Sequence, residues 1–157
     1  MKNVLLIICA GVLFSACKKD KFTTEPKISF ENISPNYFSS EFNTSLYKES
    51  APKLILKVTD AEGDFGSTDI TDSSMIYIKN LLSNKLDSTE FPDLTRAPKK
   101  DFSAEVSINL FDFLVCVDPG PARPRIDTTY FEVYIMDAKK HKSNVITTPK
   151  PVYYECK

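Results

Sequence analysis

Along most of the chain, apolar and polar side chains alternate with a period close to two rather than 3.6. "PKISFENIS" sets Ile28, Phe30 and Ile33 among polar neighbours, and "PKLILKVTD" sets Leu54, Leu56 and Val58 against Lys53, Ile55 and Lys57. "SMIYIKN" places Met75 and Tyr77 against Ile76 and Ile78, apolar on both faces as in a central strand. "FSAEVSINL" alternates Phe102, Ala104, Val106, Ile108 and Leu110 against Ser103, Glu105, Ser107 and Asn109, the pattern of a half-buried strand. "TTYFEVYIMD" sets Phe131, Val133 and Ile135 opposite Tyr130, Glu132, Tyr134 and Met136, and "PVYYEC" closes the series. Prolines at 35, 52, 92, 98, 119, 121, 124, 149 and 151 fall between the runs, where a lost ladder donor costs little. About seven strands separated by turn signals predict an all-β fold over residues 27–157, an antiparallel β-sandwich of immunoglobulin-like architecture. Short helical stretches fit near "SSEFNTSLYKES" and "INLFDFLV", neither long nor well capped.

The pattern at the start of the chain is different. In "MKNVLLIICAGVLFSACKKDKF" one positive residue, Lys2, precedes an uncharged run from Val4 to Phe14, then the small residues Ser15 and Ala16, then Cys17. This is the three-part layout of a secretory signal. The run is shorter than the roughly 20 residues that cross a hydrocarbon core, and it has no polar face for a core helix. The tetrad Phe14-Ser15-Ala16-Cys17 resembles the lipobox of bacterial lipoproteins, with Phe where Leu is commonest. That resemblance implies that residues 1–16 are a lipoprotein signal peptide cut before Cys17. The Cys17 sulfur then carries diacylglycerol, the new amino group is acylated, and the protein is attached to membrane at the cell envelope, as an outer-membrane lipoprotein. Several chains hold stably where one is marginal, at about 0.8 kcal/mol per buried methylene. A plain signal peptide with an incidental cysteine is the alternative reading. Cys9 falls inside the discarded run. Residues 17–26 are polar, end at Pro26 and read as a lipidated tether.

Removing residues 1–16 leaves 19 basic against 21 acidic side chains, a net of −2. With no basic stripe and interleaved aromatics, nucleic acid is excluded as a partner class. In an oxidising compartment Cys116 and Cys156 form an even pair and permit a disulfide, while two free buried thiols are the alternative. The insert "CVDPGPARPRIDTT" then reads either as a recognition loop pinned at its base or as a merely long connection.

Two further motifs resemble those of small lipoproteins of Bacteroidetes type. "LILKVTDAEGDFG" is similar to their Asp-Gly-Asp-Gly-Asp-Leu-Gly element after the second strand. "YIMDAKKHKSNVITTP" is similar to their second signature, a strand ending in Asp followed by Ser-Asn and Thr-Thr-Pro. The matching positions are Asp60, Gly63, Asp64, Gly66, Asp137, Ser143, Asn144, Thr148 and Pro149. Glu62 replaces the usual second Asp, and Lys140-His141 replaces a Gly-Asn turn. The family's domains are taken to be immunoglobulin-like, so the resemblance implies a location and an architecture but no reaction.

Asp60, Glu62 and Asp64 alternate along an extended segment and offer hard oxygens of the kind calcium takes. In an immunoglobulin-like sandwich the loops after the second and sixth strands share one pole, so Asp137 can join them, making calcium the candidate cofactor. The spacing is not that of an EF-hand. Asx turns at Asp60 and Asp64, with Gly63 and Gly66 at positive φ, account for the same residues without an ion.

Catalytic arrangements are poorly supplied. His141 is the only histidine; any triad or zinc cluster would have to use it, and in "DAKKHKSN" it reads as a solvated surface residue. Acid pairs such as Asp112 with Asp118 or Glu132 with Asp137 suit a glycosidase in number only, since 26% of the chain is charged. With 4 glycines there is no phosphate loop, nucleophile elbow or dinucleotide fingerprint. Tyr37, Phe38, Phe42 and Tyr47 crowd a polar stretch, and Tyr153 adjoins Tyr154, so one of each neighbouring pair faces outward, as a partner surface or as a strand's second face under a loop. "DST" at Asp87 and "DTT" at Asp127 resemble an O-glycosylation signal of the same bacterial group and would modify Ser88 and Thr128. The expected function is a non-catalytic binding or accessory module with a protein or glycan ligand. A carboxylate-dependent glycan hydrolase and a structural subunit of an envelope assembly are the alternatives.

Overall fold

The computed structural model describes residues 22–42, 45–65, 73–92, 100–118 and 121–157, the side chains of 42, 45 and 46 excepted. The signal segment, Cys17 and the tether up to residue 21 lie outside these residues. The described chain is all-β, as the period-two pattern predicts. Its strands are β1 Lys27–Ser34, β2 Tyr37–Ser39, β3 Lys53–Asp60, β4 Met75–Asn80, β5 Leu86–Glu90, β6 Phe102–Asn109, β7 Arg125–Thr129, β8 Phe131–Met136, β9 Ile146–Thr147 and β10 Val152–Cys156. The suspected helical stretches are 3-10 turns at Ser40–Phe42, Ser45–Ser50 and Phe111–Phe113. Among the described residues no helix is long and apolar enough to cross a membrane.

One layer has the order β1-β3-β6 and is antiparallel throughout. The other is built from two hydrogen-bonded sets, β2-β10-β7 and β5-β4-β8-β9. These sets continue one another, because β7 and β8 are a single strand line broken at Tyr130, and β9 and β10 a single line broken at Thr148–Pro151. Proline on both sides of Lys150 removes two ladder donors there. Among the described strands β2 with β10 is the one parallel pair.

Burial follows the alternation. Leu54, Leu56 and Val58 of β3 point inward to meet Ile76, Ile78, Phe131, Val133 and Ile135 from the opposite layer. Each such fully buried side chain contributes about 1.5–3 kcal/mol. In β1 the phase changes: Ile28 and Ile33 are both buried although five positions apart, because a bulge between Phe30 and Asn32 inserts one residue against β3. Tyr37 and Tyr153 are 46% and 40% exposed beside Phe38 at 5% and Tyr154 at 2%, so one of each aromatic pair does face outward.

At the end of the sandwich where β4 finishes, Asn80 is buried among its own partners. Its Oδ1 accepts from the amides of Leu82 (2.9 Å) and Ser83 (3.2 Å) and from Thr129 Oγ1 (2.7 Å), and its Nδ2 donates to the Phe113 carbonyl at 3.0 Å. Cys116 and Cys156 are joined in a disulfide near this end. Arg125 completes the fastening by donating to the carbonyls of Val117 and Pro121, both at 2.8 Å, and to Asp127 at 2.9 Å. The base of the proline-rich insert is therefore pinned, although residues 119 and 120 lie outside the described part.

Candidate metal centre

The opposite end carries the two motifs. Asp60 is the last residue of β3 and Asp137 follows β8, so the pairing of strands within each layer, and the packing of the layers, brings the two loops to one pole. Locally, Asp60 closes an Asx turn: its Oδ2 accepts from the amides of Glu62 (3.1 Å) and Gly63 (2.6 Å), and Gly63 takes φ 61°. Its Oδ1 is buried and accepts nothing from the described residues, and neither do the two carboxylate oxygens of Asp64. The Asx turn thus accounts for one oxygen of Asp60; its other oxygen and Asp64 Oδ1 have no partner, and Asp64 Oδ2 faces only the Lys139 ammonium, at 3.3 Å. Gly66 lies outside the described residues.

The Asp137 loop is a tight turn. Lys140 N donates to the Asp137 carbonyl and Asp137 N to the His141 carbonyl, both at 3.1 Å, with Lys140 at φ 70°. Here Lys140 occupies the left-handed position that a glycine would fill without steric cost. The turn brings His141 back onto Asp137: the His141 amide donates to Oδ1 at 2.8 Å, and its Nδ1 lies 2.9 Å from Oδ2. The two loops are tied by the Ala138 amide donating to the Asp64 carbonyl at 3.3 Å. Ligand atoms of Asp64, Asp137 and His141 all lie within 4.8 Å of one another.

Charge at this pole is unbalanced. Burial raises the Asp60 pKa above the ordinary carboxyl range; the Gly63 amide opposes that, and the charges of Asp64 and Asp137 add to it. Lys139 is the one described basic side chain that forms an ion pair with this loop's acids, bonded to Glu62 and lying 3.3 Å from Asp64 Oδ2. Those carboxylates, Glu62 first, raise its pKa, and Lys139 in turn lowers that of Glu62.

The expected metal set is therefore rearranged. Asp60, Asp64 and Asp137 come together, whereas Glu62 turns outward to Lys139. His141 keeps 36% of its side chain exposed, as expected of a surface residue, yet its ring also lies against the fully buried Asp137 and so belongs to the cluster. The signal that could have found it is the spacing Asp137-x-x-x-His141, which a tight turn folds back on itself.

The remaining motif positions close backbone gaps. Ser143 Oγ accepts from the Ile135 amide at 3.0 Å, and Thr148 Oγ1 from the Phe131 amide at 3.1 Å, where the β9–β10 line leaves its neighbour. Asn144 clamps β1 by accepting from the Ile28 amide and donating to the Ile28 carbonyl, both at 2.9 Å. Ser88 lies exposed on β5 and Thr128 exposed on β7, on strands rather than loops. Asp112 pairs with Lys48 and Asp118 with Arg123 on the surface. No protein-family model, curated protein or solved structure matches the chain.

Proposed function

We propose that the protein is a lipid-anchored, non-catalytic module of the cell envelope, held at the outer membrane through Cys17, whose acidic pole is a cation-dependent binding surface. The observation that carries the binding half is the convergence of Asp64, Asp137 and His141, with Asp60 close enough to feel both acids' charge, and with buried oxygens of Asp60 and Asp64 that accept no hydrogen bond, one of them facing Lys139 at 3.3 Å. Buried charge of one sign is costly unless a counter-ion or donors satisfy it, and Lys139, shared with Glu62, with the His141 ring on Asp137 and the two amides on Asp60, leaves oxygens of Asp60 and Asp64 without a donor. A divalent cation, of which calcium is the one suggested by the acidic motif alone, balances them and joins the two loops into one surface for a protein or glycan partner; the full ligand set decides which ion. The anchoring half rests on the lipobox-like tetrad and on the likeness to Bacteroidetes-type lipoproteins. The non-catalytic reading is supported by Asp112 and Asp118 each lying in its own surface ion pair, with Lys48 and Arg123.

Each half has its own test. Mass spectrometry of the native product is expected to find a chain beginning at Cys17 and heavier by its acyl groups; an unmodified thiol or an intact leader overturns the anchor. Melting of the purified protein is expected to rise when a millimolar divalent cation replaces chelator, because an ion bound only by the folded state stabilises it by mass action. A melting temperature unmoved by every divalent ion tried overturns the cation-dependent surface.

A further inference from the structure

The acidic pole includes a ligand type that calcium does not use. His141 is the only histidine of the chain, and its ring shares the cluster with Asp64 and Asp137. Calcium takes about six to eight oxygens, and many of the oxygens here are already engaged. Glu62 is occupied by Lys139. One Asp60 oxygen serves two amides, and Asp137 Oδ1 serves the His141 amide. The Asp64 carbonyl accepts from Ala138 N and Ser74 Oγ, and the Asp137 carbonyl from Lys140 N. What remains is Asp60 Oδ1 and the two oxygens of Asp64, one of them facing Lys139 at 3.3 Å, beside Asp137 Oδ2, whose one side-chain neighbour is the His141 imidazole at 2.9 Å.

We infer that this pole binds a borderline transition-metal dication of the zinc class, with Asp64, Asp137 and His141 as its protein ligands. The inference rests on the cation-binding reading above and names the ion. Mixed imidazole and carboxylate sets suit such ions. Bonds of about 2.0–2.2 Å in a tetrahedral site place ligand atoms roughly 3.3 Å apart, a spacing that the present triangle reaches by small side-chain adjustments. Two ligands are already positioned: the Asp137 carboxylate is fixed through Oδ1 by the His141 amide, which presents Oδ2 and the imidazole together. Asp60 is fully buried, and its unpartnered Oδ1 supplies the negative charge behind the site. Lys139 stands in for the metal at Asp64 and retains Glu62 as its partner when displaced. Three protein ligands leave a position open to water or to a donor atom from a bound partner.

The test uses the full chain in detergent, stripped with chelator and titrated with Co²⁺ as a spectroscopic stand-in for Zn²⁺, with Ca²⁺ in a parallel calorimetric titration. One equivalent of Co²⁺ is expected to give visible d–d absorption that Zn²⁺ bleaches and millimolar Ca²⁺ does not. His141→Asn is expected to weaken Zn²⁺ at least about 100-fold, since even an outer-sphere partner is worth roughly 10- to 100-fold. Asp64→Asn is expected to do the same, and melting in chelator checks that both variants fold. Calcium binding without a cobalt signal overturns the zinc-class assignment and leaves the cation-binding reading standing. A zinc affinity unchanged in both variants, or a near-ultraviolet thiolate band, which none of the three proposed ligands can give, overturns it as well. Failure of every ion to bind overturns both.

Discussion

At one end of the sandwich Asn80 is buried and both atoms of its amide are used, while at the other Asp60 is as deeply buried and keeps an oxygen that accepts nothing. Both residues end a strand, β4 and β3, and both use a side-chain oxygen to hold the turn that follows. The difference is charge. A neutral amide can be satisfied by two backbone amides, a threonine hydroxyl and a carbonyl, so that end is closed by the protein alone. The carboxylates of Asp60, Asp64 and Asp137 are met by a few amides, one exposed lysine and one imidazole, which leave oxygens of Asp60 and Asp64 without a hydrogen bond; in the proposed reading a cation from solution finishes that end. The disulfide and the Arg125 fastening lie at the closed end, and the mismatched charges at the open one.

The comparison can be broken most severely at the closed end. Replacing Cys116 and Cys156 together by Ala is expected to cost about 3–4 kcal/mol, the chain-entropy value for a loop of this size. The sequence separation is 40 residues, and denaturant unfolding of the oxidised parent against the double variant measures the cost. Asn80→Ala is expected to cost about 2–3 kcal/mol, because it strands the Phe113 carbonyl and the Thr129 hydroxyl together; the same unfolding experiment reads it. At the open end the sign reverses. Asp60→Asn keeps an oxygen for the Glu62 and Gly63 amides and removes one of three clustered charges, so in chelator it is expected to stabilise by about 1 kcal/mol. With metal present that gain is expected to shrink or invert, which calorimetric melting with and without ion would show. The smallest effect is expected from Lys140→Gly, a gain of about 0.5–1 kcal/mol in thermal unfolding from relieving the positive φ of a residue with a Cβ.

Legibility in the sequence follows the same division. Strands with one buried face, β3, β6 and β8, show their inward residues directly, because a period of two is all that such a face requires. β5 was missed: Leu86–Glu90 lies at the edge of its layer and is exposed along nearly all its length, so no apolar alternation marks it. The bulge in β1 was also hidden, since the extra residue is specified by pairing with β3 and not by β1 itself. At the candidate site, Asp60, Asp64 and Asp137 could be grouped from two motifs and the shared pole of an immunoglobulin-like sandwich. For Glu62, alternation alone does not reveal that Lys139, 77 residues away, takes its carboxylate as a partner. His141 was set aside because its neighbours in sequence are lysines, whereas its neighbours in space are carboxylates.

What the sequence determined by itself was the class of the fold and the inward face of its strands, because those depend on local alternation that every strand carries within its own few residues. Which acid keeps a free oxygen, which acid turns out to Lys139 and whether the one histidine stands beside them were decided only by the assembled fold. Those features depend on the register between strands distant in the chain, and electrostatic energy depends on separation in space, which only the assembled layers define.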